Sequence, residues 1–299
     1  MTTSPFSKLV LPEYQNWRVW LAEERGGHFY FVDDPDSVVP PMLCPSVTTC
    51  LKVIDKSEGL MRWAGKLAAS YMANQVEQAK DKPDRPKLNF WIRQAVKAPD
   101  DYRDEAALHG TAAHFAIQQT LLGNPMGEHN PEHLECPHEV AAALQYLDAF
   151  RLTPIESEVV TFHPQHYSPG SVDLVAENAD GDLVIVDWKR SRSLYKEYRY
   201  QVAAYAANVA RLTGRKVAAC YVFRLPRDEW GTPPDDPDNV IEVEDWTKDW
   251  HTYWTAQALY RLTHADHIKA VRKRVRIPDE FVRPVARPPL VLDENGGEA

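Results

Sequence analysis

The spacing of apolar residues divides the chain into a first part that is mainly helical and a second part that alternates strands and helices. In the first part, a hairpin of two apolar-rich strands is predicted at 18–32, around Gly26-Gly27. Apolar residues then recur at helical spacing, with a break at Pro99-Asp100-Asp101. The helices predicted from this pattern cover residues 58–80, 86–97 and 104–122.

From residue 137 onward the pattern predicts a mixed sheet. The segment from Asn178 to Gly181 is typical of a hairpin turn and joins two of three consecutive strands. A long helix closed by Gly214 then crosses back to a fourth strand. The predicted elements are helix 137–150, strands 155–162, 171–177 and 182–188, helix 195–213, strand 216–225 and a last helix at 245–267.

This order predicts an α/β fold with a small mixed sheet flanked by helices and with a helical N-terminal portion. We expect the hairpin and the N-terminal helices to occupy residues 1–103 and the core to occupy 104–268. A basic, proline-containing tail would follow at 269–299.

Composition and charge are those of a globular protein, with 44% hydrophobic residues and a net charge of −9. No stretch approaches the roughly 20 apolar residues of a membrane helix, and residues 1–11 lack the pattern of a signal peptide. We therefore expect a soluble, cytoplasmic protein without a membrane partner. The acidic balance argues against a protein that coats nucleic acid non-specifically, but it allows one local basic groove.

The four cysteines are scattered, without a CxxC pair or a histidine at zinc-finger spacing. We interpret them as buried or free thiols in a reducing compartment. They are Cys44, Cys50, Cys136 and Cys220.

Candidate chemistry is concentrated where two predicted strands of the sheet meet. Asp187 and Lys189 end a strand of sequence LVIV on the same face, because side chains alternate along a strand. The hairpin would bring Asp173 beside Asp187, between Val172 and Leu174, which we expect on the opposite face. Two adjacent carboxylates repel each other unless a cation neutralises them, and a hard divalent cation is the natural partner.

Lys189 would complete a hydrolytic unit. An ammonium group there can help to position and deprotonate water, or it can stabilise charge that develops on a phosphate. Asp187-Trp188-Lys189 is the sole [DE]-x-K sequence in the chain. The alternative is a surface Asp–Lys pair at a fraying strand end, and spacing alone does not exclude it.

Several motifs in order resemble the PD-(D/E)XK nuclease superfamily. They are Gly110-Thr111-x-x-His114, Gly170-x-x-Asp173-Leu174-Val175, Asp187-x-Lys189 and Gln201-x-x-x-Tyr205, after an opening Pro45-Ser46-Val47-Thr48-Thr49. The nearest branch looks like the RecB-type nucleases, which include the RecB and AddB nuclease domains, phage exonucleases and CRISPR adaptation nucleases. The resemblance covers roughly residues 104–225 and implies a restriction-endonuclease-like core.

The resemblance also implies roles for individual residues. The metal ligands would be His114, Asp173, Asp187 and the backbone carbonyl of Trp188, and the ion would be Mg²⁺ or Mn²⁺. Lys189 would be catalytic together with the two aspartates. An iron–sulfur cluster is not expected, because Cys220 is the only cysteine past Asp187. DNA-binding residues would include Gln201 and Tyr205, which share one helical face.

Two further groups of residues leave alternatives open. Glu158 would support the site or a second metal, or it would be a solvated carboxylate on an edge strand. Arg190, Arg192 and Tyr198 belong to a basic and aromatic run that suits phosphate contact and base stacking. For any one residue of that run, a solvated helix start is the simpler interpretation.

These features predict a metal-dependent deoxyribonuclease, and the resemblance favours an exonuclease that acts at DNA ends in recombination, repair or phage DNA processing. The cell would then be a bacterium or a phage-infected host. Partners beyond DNA would include a recombinase, a single-strand annealing protein or a helicase. The alternatives are an inactive nucleic-acid-binding protein of the same fold, a structure-specific endonuclease, and a metal-dependent hydrolase of another phosphoester.

Overall fold

Five strands form the sheet that carries the candidate site. In this computed structural model, which describes residues 8–24, 27–37, 39–54, 57–124, 136–227 and 236–275, they lie side by side in chain order. The strands are β4 (Thr153–Thr161), β5 (Gly170–Glu177), β6 (Leu183–Lys189), β7 (Val217–Arg224) and β8 (Val240–Val243). Only the β6–β7 pair is parallel, because a crossover helix joins these two strands. The predicted α/β fold with an antiparallel meander is confirmed.

Helices cover both faces of this sheet. The crossover helix α5 (Glu197–Thr213) and helix α6 (Trp246–Thr263) pack on one face, where Ile185 is buried. Helix α4 (Pro137–Ala149) and the C-terminal part of helix α3 (Arg85–Leu121) cover the other face, where Val184 is buried. The period-two alternation predicted for β6 is therefore confirmed.

A smaller sheet lies before this core. It consists of β1 (Arg18–Glu24), β2 (Gly27–Asp33) and β3 (Met42–Pro45), all antiparallel. The predicted hairpin is confirmed, although residues 25 and 26 of its turn lie outside the described residues. We did not predict β3 or β8, because each has four residues, too few for a clear alternation.

The segment from Pro45 to Thr49 joins the two sheets. Ser46 caps the short helix α1 (Val47–Cys50) by accepting a hydrogen bond from the backbone N–H of Thr49. The backbone N–H of Ser46 donates to the carbonyl of His28, and that of Val47 donates to the carbonyl of Pro169, each at 2.9 Å. The motif therefore fixes the N-terminal sheet next to the start of β5.

Two long helices form an arm that extends from the core. They are α2 (Ser57–Gln78) and α3 (Arg85–Leu121). The predicted helix break at Pro99-Asp100-Asp101 is wrong, because α3 continues through Pro99. A proline inside a helix removes one backbone hydrogen bond and bends the axis, but the packing of α3 on α2, where Tyr102 contacts Trp63, favours continuation.

Two other expectations need correction. Val172 and Leu174 do not share a face, since Val172 packs on the α5 side and Leu174 packs on the α4 side. The regular pleat is interrupted at this point, because Glu158, opposite Asp173 on β4, has a left-handed backbone with φ 53°. The last predicted helix is divided at His264 into α6 and α7 (Ala265–Arg274).

The structure also bears on the remaining segments. Residues 125–135, between α3 and α4, lie outside the described residues, as do residues 276–299 of the predicted tail. The four cysteines are buried thiols, as predicted. No helix in the described part of the chain has both the length and the apolar character that crossing a membrane requires.

Candidate active site

Two aspartates face each other where β5 and β6 pair. The antiparallel register pairs Leu174 with Val186, so the next residues along, Asp173 and Asp187, are opposite. The backbone N–H of Trp188 donates to Oδ2 of Asp173 at 2.7 Å. Both carboxylates are largely removed from solvent, with 7% and 0% of the residue exposed.

A histidine from α3 closes one side of this pair. Nδ1 of His114 lies 3.6 Å from Oδ1 of Asp173 and 3.3 Å from Oε1 of Glu158. Its Nε2 lies 3.1 Å from the carbonyl oxygen of Trp188. One donor atom each from His114, Glu158 and Asp173 falls within 4.8 Å of the others. Among the described residues, this is the group whose geometry suits a metal ion.

Glu158 reaches this group because of an unusual backbone. Its φ of 53° is in the left-handed region, which non-glycine residues rarely adopt and which costs about 1–3 kcal/mol. The hydroxyl of Ser171 donates to Oε2 of Glu158 at 3.4 Å. The carboxylate of Glu158 therefore points towards the site because of this strained backbone. The regular alternation of side chains along the strand would not by itself place it there.

Asp187 lies outside that group and has its own partners. Its Oδ2 is 2.5 Å from Nζ of Lys189, and its Oδ1 accepts a hydrogen bond from Nε2 of Gln201 at 2.8 Å. The same Gln201 amide lies 3.3 Å from the hydroxyl of Tyr205. Nζ of Lys189 also lies 5.2 Å from the ring centre of Tyr198. The carboxylate of Asp187 is thus held by two side chains, one at each oxygen.

Burial and charge shift the pKa values of these groups. Burial raises the pKa of Asp187 to about 6, although Lys189 opposes the shift. Burial also raises the pKa of Asp173, against the attraction of His114 and Lys189. For His114, burial alone would lower the pKa, but Asp173 and Glu158 raise it to about 9. For Lys189, burial would lower the pKa, but Asp187 and Asp173 raise it. The site therefore favours positive charge.

This donor set fits a divalent cation. Two carboxylates and one imidazole are common ligands of Mn²⁺, and carboxylate oxygens are the preferred protein ligands of Mg²⁺. The raised pKa of His114 shows that its two carboxylate neighbours already attract a charge at this position. A groove of about 550 Å³ opens beside His114 and Glu158, so the group is accessible.

The comparison with known families agrees with this geometry. Residues 136–278 match the PD-(D/E)XK nuclease superfamily. The matched segment contains Glu158, Asp173, Asp187 and Lys189, whereas His114 lies before it. The mixed α/β core is therefore a restriction-endonuclease-like fold, and the match indicates a nuclease that uses divalent metal. No curated protein matches the chain.

The predicted DNA-binding residues have different surroundings. Gln201 and Tyr205 are buried beneath Asp187, with 7% and 3% exposed. Arg190 donates to Glu139 of α4 at 2.7 Å and to a backbone carbonyl. Arg192 is exposed, and Tyr198, beside Lys189, is half-buried. DNA contact by these residues remains a prediction, and the described contacts of Gln201 and Tyr205 support Asp187.

The sequence did not reveal why a glycine stands at position 170. A Cβ on Gly170 would lie 2.7 Å from Cε1 of Tyr205 and 3.3 Å from a methyl group of Val47. Gly170 therefore lets α5 and α1 approach the start of β5. A glycine as the first residue of a strand is the signal, but it does not tell which ring lies against it.

Proposed function

We propose that this protein is a metal-dependent deoxyribonuclease that hydrolyses phosphodiester bonds. The observation that carries the proposal is the assembly, from four separate elements of the chain, of His114, Glu158 and Asp173 beside the Asp187–Lys189 pair. Such an assembly combines a position for a cation with a buried ammonium group. Both are suited to the charge that develops on a phosphate.

In this proposal His114, Glu158 and Asp173 hold Mg²⁺ or Mn²⁺, with Asp187 and the Trp188 carbonyl as further ligands. The bound ion would polarise a phosphoryl oxygen of the substrate and offset its negative charge. The backbone N–H of Trp188 orients Asp173, and Gln201 orients Asp187 through a 2.8 Å hydrogen bond. Ligands braced in this way lose little freedom when the ion binds.

Lys189 acts on the reacting phosphate. Its ammonium group stays charged at neutral pH, because Asp187 and Asp173 raise its pKa. Its side chain is 19% exposed, so the head group can reach a substrate while Asp187 holds it. The ammonium donates to the phosphate as negative charge develops in the transition state.

We further propose that cleavage proceeds from DNA ends. This preference rests on the resemblance to RecB-type nucleases. The basic residues near the site suit phosphate contact, and Arg192 and Lys196 are exposed there. A structure-specific endonuclease is the alternative, and closed circular DNA distinguishes the two.

Incubation of the protein with end-labelled linear duplex, single-stranded DNA and closed circular DNA tests the proposal. We expect cleavage of linear DNA with Mg²⁺ or Mn²⁺, none with EDTA, and none by Lys189→Ala or Asp187→Ala. Cleavage that survives both substitutions would overturn the mechanism. Cleavage of closed circles as fast as linear DNA would overturn the preference for ends.

Two other classes of function make different predictions in the same experiment. An inactive nucleic-acid-binding protein would shift DNA in a gel without cutting it in any metal. A hydrolase of small phosphoesters would release phosphate from a nucleotide monoester and leave DNA intact. The presence of His114, both aspartates and Lys189 together argues against the inactive protein.

A further inference from the structure

Helix α3 connects the candidate site to the far end of the arm. His114 lies in its C-terminal part, and Arg85 is its first residue. The 29 residues between them correspond to about 43 Å at 1.5 Å per residue. That length equals about 13 base pairs at 3.4 Å each. One continuous element therefore reaches from the site over more than a turn of a double helix.

One face of α3 follows this whole length in line with His114. Residues three, four, seven or eight positions apart share a helical face, which defines an exposed stripe. The stripe contains Arg85, Arg93, Val96, Arg103, Ala107 and Gly110. All of these except the half-buried Gly110 are exposed, and Val96 is 72% exposed. Helix α2 packs on another side of α3, where the ring of Tyr102 contacts that of Trp63 at 5.7 Å between centroids, so the stripe faces away from it.

The stripe continues into the groove beside the site. Ala107, Gly110 and Thr111 line that groove together with His114 and Glu158. A Cβ on Gly110 would meet no described atom within 4 Å. Glycine disfavours a helix interior, and the packing of the protein gives no reason for it here. A glycine at this position suits a molecule that approaches the helix closely from outside.

The charge of the arm identifies the kind of molecule. Segment 79–97 has six basic residues and two acidic ones, in a chain with a net charge of −9. None of those six basic residues forms an ion pair with a described residue, and all six are exposed. They are Lys80, Lys82, Arg85, Lys87, Arg93 and Lys97. Two acidic residues in line with the stripe, Asp100 and Asp104, are 3.2 Å and 3.6 Å from Arg103, which balances part of their charge. The surface therefore fits a polyanion.

We propose that the stripe of α3 binds the backbone of duplex DNA and guides it from the arm into the candidate site. This inference rests on the proposed nuclease function and identifies where the uncut part of the substrate lies. Arg85 and Arg93 contact phosphates about 13 and 9 base pairs from the cleaved bond, from the rise of the helix. Val96, Ala107 and Gly110 let the backbone approach the helix surface.

The test compares substrates that reach the distal arginines with substrates that do not. A hairpin with an 8-base-pair stem and a 30-base-pair duplex are titrated with Arg85→Gln/Arg93→Gln. We expect about 10-fold weaker binding of the long duplex, a salt slope lower by about 2, and unchanged binding of the short hairpin. Affinity is measured in a Lys189→Ala background so that the substrate stays intact.

Lys8→Gln/Lys66→Gln is the matched control, because it removes two exposed charges away from the stripe. An equal loss of affinity for both substrates, or an equal loss of affinity in the control, would overturn the proposal that the stripe binds DNA. A change in sedimentation of the arginine variant without a change in DNA affinity would instead assign the arm to contacts between protein chains. Cleavage of the short hairpin by the wild type tests the nuclease function separately, so the two failures are distinguishable.

Gly110→Ala gives a second test that does not depend on charge. The added methyl group has room and removes a glycine from a helix, so we expect the melting temperature to rise by about 2 °C. We also expect at least 5-fold slower cleavage of both substrates, because the methyl group narrows the groove. A more stable protein with unchanged cleavage would contradict the close approach of DNA at Gly110.

Discussion

The two halves of the candidate site solve the problem of buried charge in different ways. In one half, Asp187 is fully buried but lies 2.5 Å from Lys189 and accepts a hydrogen bond from Gln201. In the other half, Glu158 and Asp173 share one imidazole, and the side chains of His114 and Glu158 are 25% and 29% exposed. In the first half the charge of Asp187 is neutralised by a partner within the protein, whereas the second half remains accessible to solvent.

This difference indicates how the site divides its work. A buried ion pair is costly to break, because removing one partner leaves an uncompensated charge. The Asp187–Lys189 half therefore keeps its geometry with or without a ligand. The half around His114 has two carboxylates for one titratable base, so it retains affinity for a further cation. We name the two parts the lysine half (Asp187, Lys189, Gln201) and the metal half (His114, Glu158, Asp173).

The largest expected effect comes from the lysine half. Lys189→Met removes the ammonium group but keeps an unbranched side chain, and we expect cleavage to slow by about 10²–10³-fold. Metal binding should be retained, because the metal half and the Asp187 carboxylate both remain. Cleavage rates and Mn²⁺ binding by calorimetry measure the two quantities.

Lys216→Met is the matched control for this substitution. Lys216 also pairs with an aspartate, Asp182, but both lie at the far end of the sheet and Lys216 is exposed. The control should cleave at the wild-type rate. If Lys189→Met lost metal binding as well as cleavage, the division into two halves would be wrong.

The next largest effect is expected in the metal half. Glu158→Gln keeps the shape but removes one charge, so we expect 10- to 100-fold weaker activation by Mg²⁺. A higher metal concentration should restore most of the maximal rate, which would not happen for Lys189→Met. Metal titrations of the cleavage rate, with exposed Glu244→Gln as the control, separate the two cases. A lower maximal rate with an unchanged dependence on metal concentration would show that Glu158 does not belong to the metal half.

A smaller effect is expected from the support of the lysine half. Gly170→Ala forces a methyl group within 2.7 Å of the Tyr205 ring, which cannot move freely because it is buried. We expect a loss of about 1–3 kcal/mol in the free energy of unfolding, measured with urea. Gly65→Ala on α2 is the control, because its methyl group would meet no described atom, and it should stabilise slightly. Equal stability of both variants would exclude the close packing at Gly170.

Much of the lysine half could be predicted from the sequence, and less of the metal half. Asp187 and Lys189 follow a continuous buried strand, so period-two alternation places them on one face. Asp173 follows from the hairpin register. The position of the Glu158 carboxylate depends on a left-handed backbone that no local sequence pattern predicts. His114 lies on a helix whose path depends on tertiary packing. The continuation of α3 through Pro99 was missed for the same reason.

Outside the site, His163 gives the opposite case to His114 and the smallest expected effect on activity. Burial, His166 and Arg211 lower its pKa to about 4, whereas carboxylates raise that of His114. His163 therefore binds a proton near pH 6.5 in the unfolded chain but only near pH 4 in the folded protein. Its contribution to the free energy of unfolding is complete above pH 6.5 and is lost as the pH falls towards 4. The loss is about 3 kcal/mol at 1.36 kcal/mol per pKa unit. Urea unfolding of wild type and His163→Gln from pH 7 to 4 measures it. A variant with the same pH dependence as wild type would show that the lost stability belongs to other groups.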